Sequence, residues 1–219
     1  MNCGLSNLET LKQYLLAGTL AGDRKFDFAL QAVGLAAAGL CETFTNRKLG
    51  YLAGDASVFG GGRRIFHLQR YPISEVTSIK TRAVETDAWV EETGVVGLVN
   101  YESGKVDLGV EIADDSVQIQ VIWSGGYFFE TREPEEEGYP TAKPEITSQV
   151  AVAAGAVVAT LPETLRAAYL LQCESIWATR DNLGVGLVSR EEAKAKIGEL
   201  KLSPLVEAML KPFIRYALM

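Results

Sequence analysis

Apolar and polar positions follow a helical period at both ends of the chain and an alternating period in the middle. Ser6-Asn7-Leu8-Glu9 reads as a capping box, and Leu8, Leu11 and Leu15 follow at helical spacing. Gly18 and Gly22 mark the end of that short helix and the turn after it. Asp23 can cap a second helix over 23–45, with Phe26, Leu30, Val33, Ala37, Leu40 and Phe44 on one face. Small residues around Gly34 and Gly39 let another backbone come close, at some cost in helix stability.

After Asn46-Arg47-Lys48 the period changes, and Gly60-Gly61-Gly62 breaks the chain. Short segments rich in β-branched and aromatic residues predict strands over 64–69, 75–82, 88–91, 95–100, 105–108 and 117–123. Val117, Ile119 and Val121 alternate with Gln118, Gln120 and Ile122, the period of two of a half-buried strand. Glu102-Ser103-Gly104-Lys105 is turn chemistry between two strands. The stretch reads as a small antiparallel β module between two helical parts, which makes the chain α+β.

Residues 130–143 read as an exposed loop, with Glu130, Glu133, Glu135, Glu136 and Glu137 beside Pro134 and Pro140. The apolar stretch 146–158 has little pattern and reads as a strand or as an arm that packs on a neighbouring subunit. Helices then resume. Pro162 and Glu163 suit the first turn of a helix to about residue 180, lined by Leu165, Ala168, Tyr169, Gln172, Ile176 and Trp177. Asn182-Leu183-Gly184 ends it, and Ser189-Arg190-Glu191-Glu192 is a second capping box. Ser203-Pro204 opens the last helix, with Leu205, Met209, Leu210 and Phe213 as apolar positions and Pro212 as its kink or end. The expected organisation is a helical part over 1–62, the β module over 63–129, an acidic loop and extended arm over 130–160, and a helical part over 161–219 that completes the helical domain.

Composition narrows the function classes. The 219 residues carry a formal net charge of -7, a balance that disfavours gripping nucleic acid by neutralising phosphates. An acidic wall still suits DNA that must pass without sticking. Cys3, Cys41 and Cys173 are too few and too widely spaced for a disulfide framework or a zinc motif, and they suit a reducing cytoplasm. The N-terminal residues lack signal-peptide character, and no uninterrupted apolar run approaches the ~20 residues of a bilayer span, so no membrane partner is expected.

Candidate chemistry is sparse, and no enzyme, cofactor or metal is expected. The single histidine, His67, stands near Arg63, Arg64 and Arg70, which could serve a phosphate or a general base. No Ser or Cys nucleophile pattern accompanies it, so a strand with its polar side toward solvent or a neighbouring subunit is the plainer reading. The glycine triplet precedes a strand and not a helix, so it is not a phosphate cradle. Glu91-Glu92 are adjacent and would point to opposite faces of a strand, and Asp114-Asp115 fall in turn chemistry. Trp123, Tyr127, Phe128 and Phe129 crowd a strand end, either as core or as part of an intersubunit contact.

Four local patterns, in order along most of the chain, give it a family resemblance. They are Leu8-Glu9-Thr10-Leu11-Lys12 with Asp23 and the alanine-rich helix to Glu42 and Asn46-Arg47; Tyr71-Pro72-Ile73 with Val76-Thr77-Ser78-Ile79; Val121-Ile122-Trp123-Ser124-Gly125-Gly126-Tyr127 with Leu161-Pro162-Glu163-Thr164-Leu165; and Leu202-Ser203-Pro204-Leu205 with Leu210-Lys211-Pro212-Phe213. This layout resembles the tailed-bacteriophage head–tail connector (adaptor, or head-completion) family, in its larger form with a β insertion. The resemblance implies a helical bundle of connector type with an inserted β module. It implies a virion protein of the neck, assembled in the host cytoplasm as a ring, in most such proteins a dodecamer.

The ring would dock beneath a portal protein, extend the DNA channel without sequence-specific binding, and carry a stopper or tail-terminator protein. Portal contact is then expected at Leu205, Met209, Phe213, Arg215 and Tyr216, and the lumen or an outer loop at Glu133, Glu135, Glu136 and Glu137. Subunit contacts are expected at Arg47, Arg64, Phe128 and Phe129. The alternative is a tail-associated module that binds a receptor or carbohydrate on its β-sheet, for which a single concave aromatic pocket is the mark.

Overall fold

The computed structural model describes residues 3–16, 24–109, 117–129, 151–152, 158–179 and 200–215. The chain is α+β and divides into two compact units, one over Met1–Arg47, Phe129–Ala142 and Leu161–Met219, the other over Lys48–Phe128 and Lys143–Thr160.

The first unit holds helices α1 (Leu8–Leu15), α2 (Asp27–Thr45), α3 (Glu163–Ala178) and α4 (Pro204–Leu210), with a 3-10 turn at Lys211–Phe213. The expected capping box at Ser6 is replaced. Asn7 is the cap of α1, its Oδ1 accepting from the Thr10 N–H at 2.8 Å. Ser6 is buried instead and donates to the Tyr169 hydroxyl of α3 at 3.3 Å. A hydroxyl that finds a tertiary partner is no longer available to the helix end.

Helix α2 begins at Asp27, and Asp23, its expected cap, lies outside the described residues. Its buried face is Leu30, Val33, Gly34, Ala37, Ala38, Cys41 and Thr45, rotated toward the small residues and away from Leu40 and Phe44. The reason is close approach. A Cβ on Gly34 would lie 2.4 Å from the Cys3 carbonyl oxygen and 2.8 Å from the Tyr169 hydroxyl oxygen. Facing it, Gly4 adopts φ +93, and a side chain there would meet Ala38 and the Gly34 carbonyl. The Tyr169 hydroxyl donates to the Cys3 carbonyl and accepts from Ser6, so one phenol ties residues 3–6 to α3 across α2.

Three further contacts bind the helices. Lys12 of α1 is buried 2.5 Å from the Asp27 carboxylate of α2. Phe26 meets Trp177 edge-on with ring centroids 5.8 Å apart. Gln172, fully buried on α3, donates to the Lys201 carbonyl at 3.1 Å and accepts from the Ser203 N–H at 3.2 Å. Ser203 in turn caps α4 by accepting from the Val206 N–H, with Pro204 in the first turn as its fixed φ favours. Helix α2 is long and apolar enough to cross a membrane by length and composition, at mean hydropathy 1.3. Its buried face is spent within this unit.

The second unit is built from strands β1 (Leu52–Gly60), β2 (Ile65–His67), β3 (Ile73–Arg82), β4 (Val90–Glu92), β5 (Val96–Asn100), β6 (Lys105–Leu108), β7 (Gln118–Gly125), β8 (Tyr127–Phe128), β9 (Ala151–Val152) and β10 (Ala159–Thr160). One sheet has the order β1-β7-β3-β4, with β9 also pairing β3, and a second has the order β2-β6-β5. Ile73, Val76 and Ile79 of β3 and Ile119, Val121 and Trp123 of β7 share one core with Phe66, Val99, Val106 and Leu108 of the second sheet. Phe59 of β1 packs against Phe66 of β2 with ring centroids 4.7 Å apart and planes inclined at 42°. Each such side chain, taken out of water, contributes about 1.5–3 kcal/mol.

All six expected strands are present, the one over 105–108 with the expected ends and the other five with one or both ends shifted. Three others, β1, β8 and β10, are additional, and β9 falls in the stretch 146–158 that reads as a strand or an arm. Residues 48–62, read from the sequence with the N-terminal helical part, therefore lie in the β unit. Strand β1 was hidden because Gly54, Asp55, Ser57 and Gly60 break its apolar alternation, and pairing with β7 decides it. The module is not wholly antiparallel either, since β10 runs parallel to β8. The stretch 146–158 reaches the sheet through Ala151–Val152, paired with β3 at Glu75 and Val76. The expected helix from Ser189 and the end signal Asn182-Leu183-Gly184 lie outside the described residues.

Gly34→Ala is expected to cost about 1–3 kcal/mol by overpacking, seen as a lower urea midpoint. Gly39→Ala, in the same helix with open space around it, should instead raise stability by about 0.5–1 kcal/mol. Equal effects of the two would count against the close approach.

Burial pushes the thiols of Cys41 and Cys173 up from the ordinary 9.0 to about 12, with Glu42 adding to the shift at Cys41. Between those values the unfolded chain has lost protons that the folded chain keeps, so stability is whole below the lower value and is lost as pH rises toward the upper. A urea midpoint that falls across that window, less steeply in Cys41→Ala, is the expected result. A midpoint independent of pH there would contradict it.

Candidate assembly surfaces

The C-terminal segment presents two faces. Val206 and Leu210 are buried, while Leu205 on the other face is 62% exposed. Met209, Phe213 and Arg215 are half-buried. The Arg215 N–H donates to the Thr45 carbonyl at 2.9 Å, which ties the end of the segment to the end of α2. Tyr216 lies outside the described residues. Of the expected portal residues, four therefore sit along one short stretch, with Leu205 the most open. The sequence reading missed Val206, the anchor of the helix. Its partner at helical spacing, Leu210, was the available signal.

The expected subunit-contact residues differ in exposure. Arg47 is buried, just after Asn46 closes α2 in the left-handed conformation at φ 53. Phe128 is buried in a small cluster with Tyr51 and Val158. Phe129 is half-buried. Arg64 is exposed and lies 2.7 Å from Asp107 on β6, an ion pair whose value at the surface is small. Glu133, Glu135, Glu136 and Glu137 lie outside the described residues, as do Asp114 and Asp115.

The basic cluster around His67 is separated by the fold. Arg64 turns to Asp107, and Arg70 turns to Asp55 at 3.1 Å and to the Gly50 carbonyl. His67 is half-buried on β2, opposite Lys105. Two of the three arginines are thus engaged with carboxylates, which leaves no concentrated positive site for a phosphate. Glu91 and Glu92 fall on β4, where Glu92 accepts from Thr81 at 2.7 Å. Among the described residues no group of three metal-ligating side chains converges. Trp123 is fully buried, its indole N–H donating to Ser57 at 3.3 Å, so the aromatic run is core from Trp123 to Phe128.

The exposed surface has its own apolar points. Phe28 is 79% exposed on α2, and Leu35, two turns along the same face, is 48% exposed. Sequence periodicity did not single them out, because α2 is apolar on nearly every side. Among the described residues of the β unit the exposed large apolar side chains are Val58 on β1, Ile65 on β2, Val84 and Val90 around β4, and Leu98 on β5. Arg82 covers the Trp89 ring at 4.3 Å and bonds Gln118 and the Glu85 carbonyl, which braces the β3–β4 connection.

No family model matches this chain, and no curated protein matches it. Solved structures do. A chain in the neck of an empty gene transfer agent (GTA) particle, computed with C6 symmetry, matches with a TM-score of 0.57 and 14% identity, covering 97% of this chain and 90% of that one. A chain in the virion of the native GTA particle matches with a TM-score of 0.58 at the same identity and coverage. The chain shares its fold with these gene transfer agent components over nearly its whole length.

Proposed function

We propose that this chain is a structural protein of the neck of a tailed phage or phage-like particle, and specifically the adaptor of its head–tail joint. The observation that carries the reading is the fold match, which spans both units and comes from a particle neck. The order of sequence patterns points the same way. The role is architectural: subunits tile head to tail into a closed ring, so contact surface takes the place of a reactive site.

In this reading the helical unit is of connector type, and the ring, a dodecamer by family resemblance, docks beneath the portal. The segment of Leu205, Met209, Phe213, Arg215 and Tyr216 meets the portal. Leu205 offers the open apolar contact while Val206, Leu210 and the Gln172 amide hold the helix in place. The acidic residues Glu133, Glu135, Glu136 and Glu137 face passing DNA and repel its backbone, in keeping with a net charge of -7. Arg64 and Phe129 belong to the subunit surface, and the buried Arg47 and Phe128 support it from beneath. A stopper or tail-terminator protein takes the far side of the ring. Assembly takes place in the host cytoplasm.

Electron microscopy of the purified chain mixed with portal particles tests this. The expected result is a ring with a central hole, coaxial with the portal. A chain that stays monomeric beside portals and binds sugar stoichiometrically would refute it. Leu205→Lys should leave the unfolding midpoint within about 0.5 kcal/mol of wild type, as an exposed site allows, while lowering portal occupancy at least several-fold. Undiminished occupancy would remove Leu205 from the contact.

A further inference from the structure

Strand β1 forms one edge of the larger sheet, and β4 with β9 forms the other. Among the described residues only β7 pairs with β1. The Gly61 N–H donates to the Val117 carbonyl, which fixes the phase of the ladder. Residues in step with Gly61 face β7, so Ala56, Val58 and Gly60 turn their backbone N–H and C=O groups outward. The Ala56 N–H is met there only by its neighbour's side chain, Asp55, at 2.9 Å.

Natural sheets blunt such an edge with lysine, proline, a short strand or a covering segment. Strand β1 has nine residues, no proline and no lysine or arginine, and its one charge, Asp55, is held by Arg70. Val58, in the middle, is 52% exposed. Beyond the irregularity between Leu52 and Asp55, the stretch from Ala56 to Gly60 carries no charge, and an open edge of this kind is a template for another strand.

Strand direction selects the partner. The pairs β1–β7, β7–β3 and β3–β4 are all antiparallel, so β4 runs opposite to β1. Strand β9 pairs β3 at Glu75 and Val76 on the side away from β7, and β4 pairs it from Ile79 to Thr81, so together they make one composite edge. Laying that edge of one copy along β1 of the next continues the antiparallel alternation unbroken. The contact joins two different surfaces, the arrangement that propagates into a ring and does not stop at a dimer. Glu91 is the β4 residue whose side chain shares a sheet face with Val58, through the partners Lys80 and Gln120, while Val90 and Glu92 turn to the opposite face.

We infer that the β1 edge of one subunit pairs with the β4 edge of a second copy of this chain, so that one sheet passes from subunit to subunit. This rests on the ring reading above and names the surface that closes the ring.

The test uses the full chain, whose own cysteines among the described residues are buried and do not compete. Val58→Cys is combined in turn with Val90→Cys, Glu91→Cys and Glu92→Cys, and the protein is oxidised at ring-forming concentration, alone or on portal particles. The pair with Glu91→Cys, on the same sheet face as Val58, should give a ladder of covalent multimers that ends at the ring size, since facing strands bring such Cβ atoms within disulfide reach, and the pairs with Val90→Cys and Glu92→Cys, on the other face, should give little. Val58→Pro should keep the urea midpoint, because the lost N–H points away from β7, and should weaken self-association roughly tenfold or more. Val58→Lys should act in the same direction. Rings that persist in Val58→Pro with no ladder in any pair would overturn the edge pairing and leave the ring reading standing. Covalent dimers from Val58→Cys alone, and nothing larger, would overturn the head-to-tail arrangement. A wild-type chain that forms no ring even on portal particles would overturn both.

Discussion

The helical unit is organised by the distance of closest approach at Gly34. Two backbones can meet there only because neither Gly34 nor Gly4 carries a Cβ, and at that point the Tyr169 hydroxyl serves three elements at once. It donates to the Cys3 carbonyl, accepts a hydrogen bond from the Ser6 hydroxyl, and rises from α3 past the small face of α2. A phenol so enclosed has its pKa raised well above 10.0, chiefly by burial, so it stays a neutral donor at any ordinary pH. The rotation of α2 onto Ala37, Ala38 and Cys41 follows from the same contact, because larger side chains would hold the segments apart.

That rotation has a surface consequence. When a helix buries its small residues, some large ones must face out, and Phe28 and Leu35 do so. The C-terminal helix divides in the opposite way, with Val206 and Leu210 inward and Leu205 outward. In both places an apolar side chain beyond what the core needs lies on the surface.

In the β unit the organising feature is the pair β3 and β7. Their buried positions meet those of the second sheet, and the strands of the two larger sheets are hung on one of these two or on β6, while β8 and β10 pair with each other. The register is firm where Ile119, Val121 and Trp123 alternate inward, since a slip by one residue would turn all three to the other face. The sheet ends there in two unlike edges, a long one at β1 and a composite one at β4 and β9.

Local chemistry in the sequence determined much of this. The alternation in β7, the turn before Lys105, the cap at Ser203 with Pro204, and the stop near Pro212 each depend on residues close together in the chain. The α+β class followed from those signals. Tertiary structure alone decided where Ser6 would bond, which face α2 would bury, that the unpatterned residues from Leu52 would form a strand, and that Arg64 and Arg70 would each turn to an aspartate. The physical reason is common to these cases. A hydroxyl, a small residue, an edge strand and an arginine each have several local options of nearly equal free energy, and a partner distant in sequence supplies the difference.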